Sequence, residues 1–259
     1  MTLALAALTS AGIVLTADSR QTYQNGANAL RVGTDNANKL FKLSEKIGIV
    51  VAGNAFARDE NNELKSIEWF VEEFRKADFK RIRSKTIKLV AKKFAKFLRD
   101  RNIIGVNFIV AGIEANGSGK AYLFLGEQVG IIDSLSRNMQ NGGFLRIGQD
   151  DVVTRIMNGR APELLNVDFV KNASTAGVNV NDELAGLHYI INWGAITLQD
   201  AIDFCVLMTR ITENIQRFSD GTYMKPGGIP GVGGSIDVAV ITKDGFSWLQ
   251  QKTLEVKEI

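Results

Sequence analysis

Residues Thr2–Arg20, "TLALAALTSAGIVLTADSR", decide the fold. Leu3 to Leu8 is an unbroken apolar run, Thr9 to Gly12 is a turn of small residues, and a second apolar run extends from Ile13 to Asp18; together they predict a β-hairpin. A secretory signal would carry a positive charge ahead of its apolar core. Here the first basic residue is Arg20, and "TSAG" interrupts the apolar run, so the stretch is expected to stay in the folded protein. Alternation along a strand places Asp18 on the side of Val14 and Thr16. An acid at the end of so apolar a strand requires a donor or a cation beside it. Lys39 in "NKLFKLSEKIGIVVAGNA" is the candidate: this segment reads as strand, turn at Ser44–Lys46, and a second strand ending in Gly53, with Lys39 on the face of Phe41 and Leu43. A lysine so placed is partly desolvated and calls for an anion.

Composition excludes several function classes. The chain has 259 residues, 45% of them hydrophobic, enough for a sizeable core. Lys and Arg number 31 against 28 Asp and Glu, and a net charge of +3 points to neither nucleic acid nor an anionic membrane as partner. The stretch from Arg75 to Arg101 is rich in Lys and Arg, but reads as the solvated face of an amphipathic helix. A single cysteine forms no internal disulfide, which fits a reducing cytoplasm; Cys205, in "AIDFCVLM", reads as core. His188 is the only histidine and lies in "ELAGLHYIINW", read as a packed helix, so neither a multi-histidine metal site nor a histidine-based triad is expected. No cofactor is implied. "PGGIPGVGG" lacks the Lys-Ser/Thr ending of a phosphate loop and leads into a strand.

Further along, apolar periodicity predicts helices over Asn61–Ala77 and Lys85–Arg101, with Ile87, Val90, Ala91, Phe94 and Leu98 on one face of the second. "GVNFIVAGIE" and "KAYLFLG" read as a hairpin. Asp182–Trp193 and Thr197–Phe218 read as two more helices, the latter opened by Thr197 with Asp200 three residues on. "SIDVAVIT" and "FSWLQQKTLEV" close the chain as a hairpin around "KDG".

The opening resembles the start of a proteasome β-type subunit, an N-terminal nucleophile (Ntn) hydrolase in which a threonine begins a strand and an Asp-Ser-Arg triplet follows the hairpin. Thr2 and Asp18 keep that spacing, Lys39 matches the family's lysine on the next strand, and Ala52–Gly53 match its small-residue turn. Between Asp18 and Lys39 this chain is longer, in the polar "QTYQNGANALRVGTDNAN". The order of elements is similar too. The resemblance implies an α+β fold, a four-layer αββα sandwich forming one domain over residues 1–259, assembled as a homo-oligomeric ring in the cytoplasm, with an unidentified regulatory partner.

It also implies a threonine endopeptidase. With Met1 removed, Thr2 carries both a hydroxyl and an α-amine, the latter with a pKa of about 8, and the amine takes the hydroxyl proton through a water as the oxygen attacks a peptide carbonyl. Lys39, charged by pairing with Asp18, would favour alkoxide and neutral amine. The Gly53 N–H would receive the oxyanion. The positions matching the family's primary pocket are Gln21, Ala37, Phe41, Val51 and Ala55, which favours a hydrophobic residue before the cut bond of a peptide or unfolded protein. Thr22 matches the position whose backbone pairs with an extended substrate. The pattern departs elsewhere: where active members carry a serine, and an aspartate and serine before a Gly-Gly pair, this chain has Gln149, Ile229 and Val232, leaving Ser219 or Asp220 of the adjoining glycine-rich loop as substitutes. Two alternatives follow: a peptide transferase or ligase using the same Thr2, or a non-catalytic ring subunit.

Overall fold

The computed structural model describes residues 2–24, 30–77, 86–126, 142–222, 225–227 and 229–253. The opening hairpin forms as β1 (Leu3–Leu8) and β2 (Ile13–Ala17), both wholly buried. β1 is apolar along its whole length, and β2 is apolar apart from the buried Thr16, because each has a covered surface on both sides. Ala4, Ala6 and Leu8 join one apolar cluster, and Leu3, Leu5 and Ala7 join another.

The polar stretch that lengthens the chain after Asp18 holds a short hairpin, β3 (Gln21–Gln24) and β4 (Leu30–Thr34), with Thr22 opposite Val32. Next come β5 (Leu40–Ser44) and β6 (Ile47–Gly53) as expected. The helix expected from Asn61 begins only at Ile67. In its place β7 (Phe56–Arg58) and β8 (Leu64–Ser66) pair around a turn, in which the Asp59 carboxylate accepts from the N–H groups of Asn61 and Glu63 and Asn62 takes φ 64°. An acidic side chain that bonds nearby backbone competes with helix in this way. Two helices follow, α1 (Ile67–Ala77) and α2 (Ile87–Asp100); α2 is capped by the Thr86 hydroxyl accepting from Leu89 N–H, while Lys85 lies outside the described residues.

Strands β9 (Val106–Ile113), β10 (Gly119–Phe124) and β11 (Gly143–Gly148) lead to α3 (Asp151–Asn158), a 3-10 turn at Pro162–Asn166, α4 (Asp168–Thr175) and α5 (Val180–Ala185). The helix expected over Asp182–Trp193 is thus only the end of α5. Beyond it Leu187, Tyr189 and Ile190 are exposed, so no packed face holds a helix, and His188 is exposed in a bend instead of buried. The long α6 (Leu198–Phe218) starts with the expected capping box, Thr197 and Asp200 each bonding the other's backbone N–H. A two-residue pair, β12 (Gly221–Thr222) and β13 (Lys225–Pro226), precedes the closing hairpin of β14 (Asp237–Thr242) and β15 (Gly245–Gln250). The part of "LEV" from Leu254 lies outside the described residues.

The architecture is α+β. One antiparallel sheet has the order β11-β1-β2-β14-β15, and the other β10-β9-β6-β5. Residues of both sheets share one core, including Leu15, Ala17, Ile241, Val50 and Ile109. The other surface of the second sheet packs on α1 and α2 through Phe70, Phe74, Phe94 and Phe108. The other surface of the first packs on α3 and α6 through Val153, Ala201, Cys205 and Met208. Phe94 makes edge-on contacts with Phe74 and Phe108, and its truncation to alanine costs about 3–5 kcal/mol.

Candidate active site

Thr2 directly precedes β1 and is 4% exposed, held by its backbone: its carbonyl accepts from Gln149 N–H at 2.6 Å. Gly148 makes that approach possible. It has φ +94°, and a Cβ there would lie 1.9 Å from the Thr2 carbonyl oxygen.

Asp18 ends the second arm of the same hairpin. Its carboxylate, 1% exposed, accepts from Leu3 N–H and Lys39 Nζ, both at 2.9 Å, and from Arg20 N–H and Gly233 N–H, both at 3.1 Å. Two backbone donors from its own hairpin region, one from a distant loop and one ammonium supply the partners its burial demands. Lys39 lies just ahead of β5, and its carbonyl accepts from Val51 N–H at 2.9 Å; Val51 belongs to the helix-side core with Phe41 and Leu43. Its ammonium also donates to the Arg20 carbonyl. The chain is returned to this point by Arg20, which forks onto Asp35 at 2.7 and 2.9 Å, and by Ala37 N–H donating to the Ser19 carbonyl at 2.9 Å.

Burial pushes Asp18 up and Lys39 down from their ordinary values, each toward neutrality. The mutual charge and hydrogen bond oppose this in both cases, as do the Leu3 and Gly233 N–H groups for Asp18. The charge of Lys252 depresses Lys39 further. Burial alone pushes the Cys205 thiol far up, which suits a core residue and no nucleophile.

A cleft of about 500 Å³ opens here. Thr2, Lys39, Gly53, Gln21, Ala37, Val51 and Ala55 all line it. Gly53 ends β6 with φ +100° and packs so tightly on the Gly105 carbonyl that a Cβ would come within 2.1 Å. Phe41, 7% exposed, belongs to the helix-side core and is not among the lining residues; Thr22 lies one residue past Gln21, in β3. The wall is more polar than those positions alone suggest, because Asn38, Asn54, Ser66 and Glu68 line it as well, together with Ala52 and Ile67; Asn38 Nδ2 donates to Glu68 Oε1 at 2.8 Å. Ser66 and Glu68 were hidden from sequence reasoning by the misplaced helix start. Among the described residues no cluster of three or more His, Cys, Asp or Glu is placed to hold a metal ion.

A family model described as Proteasome subunit matches residues 2–135, just over half of the chain. The chain belongs to the proteasome subunit family. No curated protein matches it. All the cleft residues fall inside the matched segment of this proteasome-family chain, whereas Gln149, Ile229 and Val232 fall outside it. Val232 is fully buried in the core beneath α6, and the Ser219 hydroxyl is engaged with Gly221 in its own turn. No helix among the described residues is long and apolar enough to cross a membrane.

Proposed function

We propose that this chain is a threonine peptidase built as one Ntn hydrolase domain, a four-layer αββα sandwich that assembles with further copies into a ring. The three apolar clusters, one between the sheets and one under each pair of helices, support the layering. The observation that carries the activity is the buried Asp18–Lys39 pair opening, through Lys39, onto the cleft that Thr2 and Gly53 share.

In this reading Met1 is removed and Thr2 becomes the free end. Thr2 Oγ attacks the peptide carbonyl carbon while its proton passes through a water to the α-amine, whose pKa of about 8 leaves a useful neutral fraction. The Lys39 ammonium, kept charged by Asp18, favours alkoxide over hydroxyl, and the Gly53 N–H receives the oxyanion. Collapse breaks the C–N bond, the amine leaves with the proton, and the acyl group remains as an ester on Thr2. Water then attacks the ester and frees the acid. An amine-bearing peptide in place of that water would give the transferase outcome.

A second reading, a non-catalytic ring subunit, draws support from Gln149, Ile229 and Val232, where hydroxyl and carboxylate groups are expected. Hydrolysis of an internally quenched peptide separates the readings. A peptidase turns over, loses turnover with Thr2→Ala, and retains part of it with Thr2→Ser. A scaffold gives no turnover in any form, and product longer than the substrate when a peptide amine is added marks a ligase.

A further inference from the structure

Thr2 and Asp18 are also joined by a route that does not pass through Lys39. Gln149 N–H holds the Thr2 carbonyl at 2.6 Å, and Gln149 Oε1 accepts from Gln216 Nε2 at 2.9 Å. Gln216 Oε1 accepts from Gly231 N–H at 3.0 Å and Val232 N–H at 2.9 Å, and the next residue, Gly233, donates to Asp18 Oδ2 at 3.1 Å. Backbone N–H groups are donors only, so two of them fix the Gln216 oxygen toward the loop and its amide nitrogen toward Gln149. The helix explains the reach: Met208, Thr212 and Gln216 follow at four-residue steps on α6, the first two buried and the third half-buried in the last turn.

Thr2 lies just ahead of β1, where its carbonyl accepts from Gln149 N–H and the Leu3 N–H of the same peptide unit donates to the Asp18 carboxylate. The loop that carries Gly233 likewise precedes β14 and is not part of any strand. One side chain, Gln216, therefore ties two irregular segments to each other. We propose that Gln216, acting through Gln149, is a positioning residue that fixes the Thr2 backbone relative to the Asp18 carboxylate. The inference rests on the peptidase reading for its kinetic consequence, but the bridge itself is read separately.

The test uses the full chain as wild type, Gln216→Ala, Gln216→Glu and Gln149→Ala. Glutamate keeps the acceptor for Gly231 and Val232, and the Gln149 amide can turn its NH2 group onto it. Hydrogen exchange reads the bridge without any reaction: Gln216→Ala is expected to speed exchange in segments 148–150 and 231–233 together, with Gln216→Glu protected like wild type. Where peptide turnover is present, Gln216→Ala and Gln149→Ala are expected to lower kcat on the order of ten- to a hundredfold with KM unchanged, and Gln216→Glu to restore it. Unchanged exchange in Gln216→Ala overturns the bridge. Altered exchange with unchanged kcat, or a Gln216→Glu variant as slow as Gln216→Ala, overturns the positioning role. Wild-type protein that never turns over a peptide overturns the peptidase reading and with it the kinetic role, while exchange still decides the bridge.

Discussion

Among the described residues, two lysine–aspartate pairs are buried one strand apart. Asp18 follows β2 and holds Lys39; Asp237 begins β14, opposite Ala17, and takes both the backbone N–H and the ammonium of Lys252. Both are almost fully shielded, with side-chain exposures of 7% and 1% for the first and 6% and 2% for the second. Their surroundings differ. Lys39 lines the cleft with Thr2, whereas Lys252 does not and instead fastens the chain beyond β15 to the sheet. A buried ion pair by itself is weak evidence of a site, since removing either partner strands a charge whatever the pair is for. Access to the cleft that Thr2 lines distinguishes the two.

Substitutions can break this comparison in graded steps. The largest effect is expected from Lys39→Met: acylation of Thr2 by a peptide electrophile should slow by on the order of a hundredfold or more, and unfolding by denaturant should show a loss of about 3–5 kcal/mol from the stranded Asp18. Lys252→Met should show a similar loss of about 3–5 kcal/mol through Asp237, with acylation at the wild-type rate. Equal slowing in both variants would erase the distinction. Gly53→Ala forces a Cβ against the Gly105 carbonyl at positive φ. Strain of about 1–3 kcal/mol is expected in the same denaturation experiment, and the displaced N–H should lower kcat more than it raises KM.

The smallest effect is on pH dependence. Burial sets the folded pKa of Lys39 below its ordinary 10.5. A reaction that needs its ammonium therefore loses rate as pH rises through that lowered value, so the alkaline limb of the acylation profile falls below 10.5. Lys252 is one of the charges that depress Lys39, so Lys252→Met should move the limb to higher pH. A shift to lower pH would contradict the electrostatic assignment.

The charged side of the cleft was legible in the sequence because it depends on short-range rules. Strand alternation and the cost of a buried acid single out Asp18, and the next apolar strand offers Lys39 as its nearest cation. The capping residues of α6 were equally plain, being local hydrogen-bond chemistry. The β7–β8 hairpin was missed because the apolar spacing of "NNELKSIEWF" imitates a helix, while the deciding Asp59 turn lies just ahead of it. Leu187, Tyr189 and Ile190 were misread for the opposite reason: they are apolar without being buried. The Gln216 bridge could not be read at all. It joins residues 149, 216 and 231 through amide groups that carry no charge and follow no spacing rule.

The central claim is that Thr2, freed of Met1 and set beside Lys39, is a nucleophile. Intact mass before and after treatment with a threonine-directed peptide electrophile, followed by peptide mapping, tests it most directly. The account predicts a chain lacking Met1 that gains a single adduct on Thr2, and none in Thr2→Ala. A chain that keeps Met1, or one that is left unmodified or modified elsewhere, would contradict it.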